Sequence, residues 1–369
     1  MKVKYSYLYE QFKDSKKLWS NLKRFVNTGD FTLGAPLEKF EKKFSKLIGS
    51  KYAIGVNSGT DAIKISLKVL GLKSGDEVIT ASNTFVATVG AINEIGCKPV
   101  FVDVDNTFCI DYRLIESKIT TKTKAILPVH YSGYMANMEK IKKISNKYKI
   151  PIVEDACQSI LANQNGKNAG TLGEFGTFSL HPLKNLNVWS DGGIITFSKK
   201  KYLKKILLLR NHGLINRDKV EILAYNSRLD TFQAVVGNWL IPKAKKIANQ
   251  RIKNANFLDR NLKKIKGIKI PNRPKNFKLV YHLYMVYAKN RNSLLKFCLK
   301  KGIEAKVHYP IPIYKQKALK EIVNKKEKFT TTDFQSKNLI TFPVHQHLKY
   351  NELKYIIKIV KEFYDSKKN

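Results

Sequence analysis

The fold of this chain is best deduced outward from the segment Ser179–Leu186, which has the sequence SLHPLKNL. This segment places Lys184 in a short polar turn between two segments rich in β-forming residues, Gly176–Leu180 and Gly192–Phe197. The pattern predicts a lysine in a loop at the edge of a sheet. Since the chain contains 68 lysine and arginine residues, a surface lysine is the simplest alternative, and the surrounding sequence has to decide.

Between residues 51 and 197, short apolar runs alternate with segments of helical periodicity. The predicted strands are Tyr52–Val56, Val78–Thr80, Pro99–Val104, Ala125–Val129 and Pro151–Asp155, and the predicted helices include Asp61–Leu70, Phe85–Ile95 and Met138–Tyr148. This alternation predicts right-handed crossovers and a mostly parallel sheet that is covered on both faces. Ligands of such sheets bind beyond the carboxyl ends of the strands, so the loops after these strands form the expected binding edge.

The two ends of the chain differ from the middle in their pattern of apolar and polar residues. The pattern of residues 1–50 predicts a helical arm. One of its helices has an apolar face made of Leu37, Phe40, Phe44 and Leu47. Beyond Lys243 the pattern predicts a helix at Lys245–Ile265, a strand at Tyr281–Tyr287, a helix at Ser293–Lys301 that ends at Gly302, a strand near Ile303–Val307, and a helix at Asn351–Tyr364. The fold class is therefore α/β, with a large domain at residues 1–243 and a smaller α+β domain at residues 244–369.

Composition excludes several classes of protein. The net charge is +39, but the lysines are spread along the chain without a compact basic and aromatic motif, so we attribute the charge to solvated helix faces and expect no nucleic-acid partner. No apolar run reaches the roughly 18–20 residues that span a bilayer, and the N-terminus lacks an apolar signal region. The four cysteines show no CxxC spacing, which argues against disulfides and a zinc site. We expect a cytoplasmic protein without a membrane segment or a metal.

Asp155 indicates the kind of chemistry in which Lys184 takes part. A carboxylate at the edge of a sheet would be a costly buried charge unless it is paired. The protonated ring nitrogen of pyridoxal phosphate is a suitable partner, and the aldehyde of the same cofactor forms a Schiff base with a lysine. Gln158 can reach the ring hydroxyl, and Ser179 can donate to the phosphate. These residues together predict a pyridoxal phosphate site.

Three neighbouring features each admit two interpretations. The residues Ser58, Gly59 and Thr60 follow a strand and open a helix, so they form either a phosphate cradle or simply a well-capped helix. Phe85 either stacks on the pyridine ring or packs in the core. His181 either orients the substrate or Lys184, or serves a structural role before a proline. His345 and His347 lack an assignable third ligand, so no metal site is predicted.

Taken in order, these motifs resemble the DegT/DnrJ-type sugar aminotransferases, which belong to the fold-type-I pyridoxal phosphate class. The resemblance is carried by the Ser-Gly-Thr turn, Phe85, the run Glu154–Gln158 and the lysine segment, and it extends over nearly the whole chain. Further similar segments are Thr28–Gly34, Gly75–Thr80, Pro99–Val104, Pro128–His130, Arg210–Gly213, Tyr225–Asp230 and His308–Pro310.

The resemblance implies a role for each motif residue. Lys184 would be the Schiff-base lysine and Asp155 the partner of the ring nitrogen. The remaining cofactor contacts would be Gln158 at the ring hydroxyl, Phe85 as the stacking ring, and Gly59, Thr60 and Ser179 at the phosphate. Family members are homodimers with shared active sites, so Asn226 would reach the cofactor phosphate of the partner subunit. Near the sugar the resemblance places His308 and Tyr309, and His181 is the third candidate for a substrate contact.

The implied reaction is a ping-pong transamination from glutamate to a keto-sugar in amino-sugar biosynthesis for a surface polysaccharide or natural product. The Lys-Asn-Leu run followed by Asp-Gly-Gly resembles family members that aminate C3, so the resemblance implies a nucleotide-linked 3-keto-hexose. One alternative is a keto-sugar phosphate or an oxidised octulosonate, and a second is a catalytically silent regulator that binds pyridoxal phosphate or sugar. Leu180, Ser190 and Cys157 depart from common family residues, but none of them removes a reacting group.

Overall fold

The structure is a computed structural model that describes residues 1–323 and 327–366. Its helices are α1 Leu8–Phe12, α2 Lys16–Val26, α3 Ala35–Ile48, α4 Gly59–Val69, α5 Val86–Asn93, α6 Met138–Tyr148, α7 Leu203–Arg210, α8 Thr231–Leu240, α9 Ala244–Leu262, α10 Arg291–Lys300, α11 Thr330–Asn338 and α12 Tyr350–Asp365. Its strands are β1 Tyr52–Val56, β2 Glu77–Ala81, β3 Lys98–Val102, β4 Thr123–Leu127, β5 Val153–Asp155, β6 Asn163–Gln164, β7 Lys167–Asn168, β8 Phe175–Ser179, β9 Gly193–Phe197, β10 Leu214–Asn216, β11 Lys219–Val220, β12 Ile268–Lys269, β13 Phe277–Lys278, β14 Tyr284–Ala288 and β15 Leu339–Phe342.

Two sheets, formed by strands between Tyr52 and Phe197, continue each other. One has the order β3-β2-β4 and the other the order β1-β9-β8-β5. Parallel bridges between Ile126 and Ile152 and between Val129 and Asp155 place β4 beside β5. Strand pairs are parallel except at β9, which is antiparallel to both β8 and β1. The prediction of a mostly parallel sheet is confirmed.

The antiparallel direction of β9 fits a connection that contains no helix. Residues 180–192 join β8 to β9 as an irregular loop, whereas the connection between parallel strands is usually a crossover helix. Lys184 lies in this connection. The short link therefore places the lysine at the carboxyl end of β8, at the same edge as the end of β5.

The N-terminal arm contains helices, as predicted, with one correction to its buried face. Helix α3 buries Leu37, Phe40, Phe44 and Ile48, whereas the predicted Leu47 is partly exposed. A step of four residues from Phe44 keeps the helical face in register, and it leads to Ile48. Gly49 ends this helix in the left-handed conformation, with φ of 84°.

The C-terminal part forms an antiparallel sheet of order β12-β14-β15, and α10 and α12 pack against each other beside it. Helix α9 begins at Ala244, directly after the predicted boundary; the division into two domains stays a prediction. The predicted strand near Ile303–Val307 is wrong as a continuous strand. The segment makes isolated bridges at Ile303 and Lys306, because its backbone pairs first with Val3 and then with Thr341.

One further property concerns membranes. Across residues 1–323 and 327–366, no helix combines the length and the apolar character needed to cross a bilayer.

Candidate active site

A cavity of about 280 Å³ lies at the carboxyl ends of the strands. Every predicted site residue except Asn226 lines it: Gly59, Thr60, Phe85, Asp155, Gln158, Ser179, His181, Lys184, His308 and Tyr309. These residues come from positions 59–184 and from the segment after α10, so the fold gathers positions that are more than 200 residues apart in sequence. The predicted binding edge of the sheet is therefore where the cavity lies.

Lys184 is held by backbone contacts on both sides of its turn. Its N–H donates to the carbonyl of His181 over 2.8 Å, and its own carbonyl accepts from the Tyr7 hydroxyl over 2.8 Å. Burial lowers the pKa of the Lys184 amine, and this effect outweighs the opposing influence of Cys157 and Asp155. A lysine in this state carries a larger fraction of neutral amine near pH 7 than an exposed lysine does.

Asp155 ends β5 and is buried at the cavity floor. Its Oδ2 accepts from Thr88 Oγ1 over 2.7 Å, and its Oδ1 accepts from the N–H of Cys157 over 3.2 Å. Within the described part of the chain, no arginine, lysine or histidine forms an ion pair with this carboxylate. A buried carboxylate that faces a cavity without its own cation fits the protonated ring nitrogen of pyridoxal phosphate.

Glu154, the residue before Asp155, faces the other way and is tied into the fold. Its carboxylate accepts three backbone N–H groups, from Gly170, Leu172 and Gly173. It also lies 2.8 Å from Nε2 of the fully buried His130. Because His130 Nδ1 accepts from the N–H of Ala136, Nε2 carries the proton and donates to Glu154. This network fixes the strand end that carries Asp155.

The turn before α4 is shaped for a close approach. Ser58 Oγ caps the helix by accepting from the N–H of Asp61 over 3.1 Å. A Cβ at Gly59 would lie 2.9 Å from both Cys157 Sγ and Ser179 Cβ, so glycine is required there. The first-turn N–H groups of Gly59 and Thr60 have no acceptor within the helix. A phosphate group fits this cradle, and the capped helix is present as well, so the two earlier interpretations are compatible.

Aromatic and amide groups form the sides of the cavity. Phe85 is 49% exposed, so it is not a core residue, and its ring centroid lies 6.1 Å from that of Tyr309. The Gln158 side chain is anchored because its Oε1 accepts from the N–H of Ser132 over 2.7 Å. Burial raises the pKa of the Tyr309 hydroxyl, with a further contribution from Asp155, so Tyr309 stays protonated.

Three histidines contribute neutral imidazoles. Burial, followed by Lys306 and Lys184, lowers the pKa of His308 to about 4, and the Nδ1 of His308 lies 2.9 Å from Thr341 Oγ1. Burial and the charge of Lys184 also lower the pKa of His181 and of His282. Near pH 7 these side chains can donate or accept hydrogen bonds without adding charge.

Asn226 lies outside the lining of this cavity. Its side chain is exposed, and its Oδ1 accepts from the N–H of Arg228 over 3.2 Å. An exposed position fits a contact with a second subunit, and that contact stays a prediction.

The cavity lining also contains residues that were not predicted as site residues, among them Tyr5, Thr88, His282 and Lys306. Thr88 follows Thr84 by four positions, and this polar pair at the start of an apolar helix was the signal available for Thr88. The other three enter the cavity through long-range contacts that leave no local pattern. Among residues 1–323 and 327–366, no cluster of three or more histidine, cysteine or acidic side chains is arranged to hold a metal ion.

Residues 13–361 match the model of the DegT/DnrJ/EryC1/StrS aminotransferase family. The chain belongs to this family. Members of the DegT/DnrJ/EryC1/StrS family depend on pyridoxal phosphate, so the predictions of the family, of an α/β fold-type-I chain, of an aminotransferase and of its cofactor are confirmed.

Several relatives match this DegT/DnrJ/EryC1/StrS member over most of its length. A "Pleiotropic regulatory protein" of Geobacillus stearothermophilus is 36% identical, and the match covers 96% of each chain. The "UDP-2-acetamido-2-deoxy-3-oxo-D-glucuronate aminotransferase" of Pseudomonas aeruginosa is 35% identical over 94% of this chain and 96% of its own. The "3-oxo-glucose-6-phosphate:glutamate aminotransferase" of Bacillus subtilis is 35% identical over 81% of this chain and 68% of its own.

Solved structures of the DegT/DnrJ/EryC1/StrS family share this fold. The crystal structure of DesV from S. venezuelae has a TM-score of 0.94 and 29% identity, and the match covers 98% of each chain. The crystal structure of NtdA from Bacillus subtilis contains the bound cofactor PMP, the pyridoxamine form. It has a TM-score of 0.89 and 31% identity, covering 94% of this chain and 81% of NtdA.

Proposed function

We propose that this protein transfers the amino group of glutamate to the keto group of a sugar, with pyridoxal phosphate held in the cavity around Lys184. The observation that carries the proposal is that a half-buried lysine, whose amine has a lowered pKa, shares a cavity with a buried carboxylate that lacks its own cation. Both groups line one cavity of about 280 Å³. General acid–base work at a carbon needs a neutral amine, and the carboxylate would stabilise positive charge on the ring nitrogen of the cofactor.

In this proposal, a different residue of the cavity would contact each part of the cofactor. In the proposed assignment Lys184 bonds to the aldehyde carbon and Asp155 lies at the ring nitrogen. The remaining contacts are Gln158 at the ring hydroxyl, Phe85 against the ring, and Gly59, Thr60 and Ser179 at the phosphate. Pyridoxal phosphate supplies an electron sink for the negative charge that forms when the α-proton of the amino donor leaves.

The amine of Lys184 is the group that moves this proton. Burial lowers the pKa of the amine, so Nζ is available as a base near neutral pH and can return the proton at a neighbouring carbon. The two backbone hydrogen bonds at Lys184 fix the start of its side chain. The mobile part of Lys184 is therefore its chain of methylene groups. A side chain that carries a proton between two nearby atoms needs such limited mobility.

The proposed acceptor is a nucleotide-linked 3-keto-hexose, in a pathway that makes an amino sugar for a surface polysaccharide or natural product. The name of the Pseudomonas aeruginosa relative, a UDP-linked 3-oxo sugar acid aminotransferase, supports a 3-keto acceptor on a nucleotide. The name of the Bacillus subtilis relative supports the alternative of a keto-sugar phosphate, and it names glutamate as the donor. His181, His308 and Tyr309 are the proposed sugar contacts. The active site is proposed to be shared in a homodimer through Asn226.

The test is amino transfer by the purified protein. The protein is incubated with pyridoxal phosphate, glutamate and a panel of acceptors: a UDP-linked 3-keto-hexose, a dTDP-linked 3-keto-hexose, a 3-keto-hexose phosphate and an oxidised octulosonate. Formation of 2-oxoglutarate and of the amino sugar is measured. We expect transfer to one class of acceptor.

Two variants complete the test. Lys184→Ala is expected to abolish turnover, and Lys269→Ala, on the short strand β12, is the matched control that retains it. Turnover at the wild-type rate in Lys184→Ala would contradict the assignment. A protein that binds pyridoxal phosphate but transfers to none of the acceptors would instead favour a regulator, a role that the name of the Geobacillus stearothermophilus relative describes.

A further inference from the structure

The cavity is richer in basic than in acidic groups. Its lining contains the lysines 184 and 306 together with three histidines, and its carboxylates are those of Asp155 and Asp191. Asp155 is engaged by Thr88 at the cavity floor. Lys184 is committed to the reacting centre by the proposed function. Lys306 therefore remains as a cation without an assigned role.

The backbone fixes Lys306 at the wall of the cavity. Its N–H donates to the carbonyl of Thr341 over 2.9 Å, and its carbonyl accepts from the N–H of Thr341 over 2.8 Å. In an extended segment, residues two apart lie on the same face, so Lys306 and His308 share a face. Both line the cavity, and His308 is anchored in turn to Thr341 Oγ1.

Tyr5 holds the ammonium group of Lys306 on this wall. The Nζ of Lys306 lies 4.5 Å from the centroid of the Tyr5 ring, and the same ring stacks on His308 at 6.1 Å. The N–H of Tyr5 is anchored by Glu304 Oε2 over 2.8 Å. Among the described residues, no carboxylate forms an ion pair with Lys306. The ammonium is thus oriented by an aromatic ring while its charge stays available to a ligand.

We propose that Lys306 binds an oxyanion of the sugar substrate and that this contact selects acidic or phosphorylated sugars over neutral ones. The inference rests on the proposed function and deepens it. The oxyanion is either a carboxylate on the sugar ring or a phosphate, because an ammonium group recognises both by charge and hydrogen bonding. Tyr5, which the N-terminal segment brings to the same wall, would orient the ammonium rather than contact the reacting carbon.

Equilibrium binding of unreactive alcohol analogues tests the proposal without depending on turnover. The probes are UDP-N-acetylglucosamine, its C6 carboxylate counterpart UDP-N-acetylglucosaminuronate, glucose 6-phosphate, and neutral N-acetylglucosamine. Titration calorimetry compares the wild-type protein loaded with pyridoxal phosphate, Lys306→Gln, Lys306→Arg, and Lys269→Gln as the matched surface control. The measurements are repeated at low and high salt.

We expect Lys306→Gln to bind its anionic probe about tenfold more weakly and to lose most of the salt dependence of binding. Lys306→Arg should restore both, and Lys269→Gln should match the wild type. Weakening confined to the uronate identifies a ring carboxylate, weakening of both UDP sugars identifies the carrier diphosphate, and weakening of glucose 6-phosphate identifies a sugar phosphate.

Three results would overturn the role of Lys306: unchanged affinity of Lys306→Gln for every anionic probe, equal weakening for the neutral sugar, or no binding of any anionic probe by the wild type. Amino transfer by the wild-type protein is measured in parallel. Absence of transfer refutes the proposed function, whereas normal transfer with unchanged binding in Lys306→Gln refutes the role of Lys306 alone.

Discussion

Thr88 Oγ1 donates a hydrogen bond to Asp155 Oδ2 over 2.7 Å, and this contact joins the first turn of α5 to the end of β5. Thr84 Oγ1 lies 2.7 Å from Thr88 Oγ1. Because the Thr88 hydrogen is given to Asp155, Thr84 is the donor of that second bond. The orientation of the carboxylate therefore depends on a helix from a different crossover, through a chain of two hydroxyl groups.

Thr88→Val should weaken catalysis by removing the donor to Asp155 while keeping the shape of the side chain. A hydrogen bond to a charged group contributes about 1.5–3 kcal/mol, so we expect kcat/KM to fall roughly 10- to 100-fold. Thr88→Ser retains the hydroxyl and should recover most of the activity. Steady-state kinetics together with the visible absorbance of the bound cofactor provide the readout. A Thr88→Val variant with wild-type kinetics would show that the bond does not position Asp155.

The residues that the strand and helix pattern alone placed at the binding edge share one property: they lie at strand ends or helix starts whose order along the chain fixes their position. Lys184 and Asp155 follow from the rule that parallel strands present their carboxyl ends at one edge. Gly59 follows from the strand–turn–helix pattern. The direction of β9 was not predicted; its connection, residues 180–192, contains no crossover helix.

The rest of the site depends on contacts that no local pattern encodes. Tyr7 and Lys184 are hydrogen-bonded although they are 177 positions apart in the chain. Tyr5 and Lys306 meet because the N-terminal segment pairs with the segment after α10, and an isolated bridge of this kind has no periodicity to detect. His282 precedes β14 in an irregular segment. Tertiary packing places these side chains, so sequence periodicity could not.

Gly59→Ala should impair binding of the cofactor phosphate. The new Cβ would lie 2.9 Å from Cys157 Sγ and from Ser179 Cβ, so the cradle must distort. We expect at least a tenfold loss of affinity for pyridoxal phosphate, measured by titration of the apoprotein and followed by absorbance.

Gly90→Ala in α5 is the matched control, because the Cβ that this substitution adds would meet nothing within 4 Å. That variant should bind the cofactor normally and gain about 0.4–1 kcal/mol of stability. Equal affinities of the two variants would argue against the cradle.

His345 should make the folded protein sensitive to acid. Burial, followed by the charge of Arg251, lowers the pKa of its imidazole from 6.5 to about 4. As pH falls from 6.5 towards 4, the unfolded chain takes up this proton and the folded chain does not, so the free energy of unfolding decreases across this window. The expected loss from this group between pH 7.5 and 4.5 is about 2 kcal/mol.

Denaturant unfolding of His345→Asn measures this contribution. The variant should lose about 2 kcal/mol less than the wild type between the two pH values, because asparagine does not titrate. His212→Asn provides the control, since His212 is exposed and its left-handed backbone conformation suits asparagine. Identical pH dependence in the wild type and in His345→Asn would show that another group causes the acid sensitivity.

Tyr7→Phe should disturb the backbone at Lys184 without changing a residue that lines the cavity. The Tyr7 hydroxyl donates to the Lys184 carbonyl over 2.8 Å, and Arg251 and His345 hold the Tyr7 ring, with the guanidinium carbon 5.0 Å from its centroid. Loss of this bond costs about 1 kcal/mol of stability and loosens the turn. We expect kcat to fall several-fold with little change in KM for the sugar, and the pH midpoint of the cofactor absorbance to shift.

Tyr9→Phe is the control, because Tyr9 is 77% exposed. This variant should leave kcat, KM and the absorbance midpoint unchanged. If Tyr7→Phe loses stability but keeps the wild-type kcat and absorbance midpoint, Tyr7 contributes to packing and does not position Lys184.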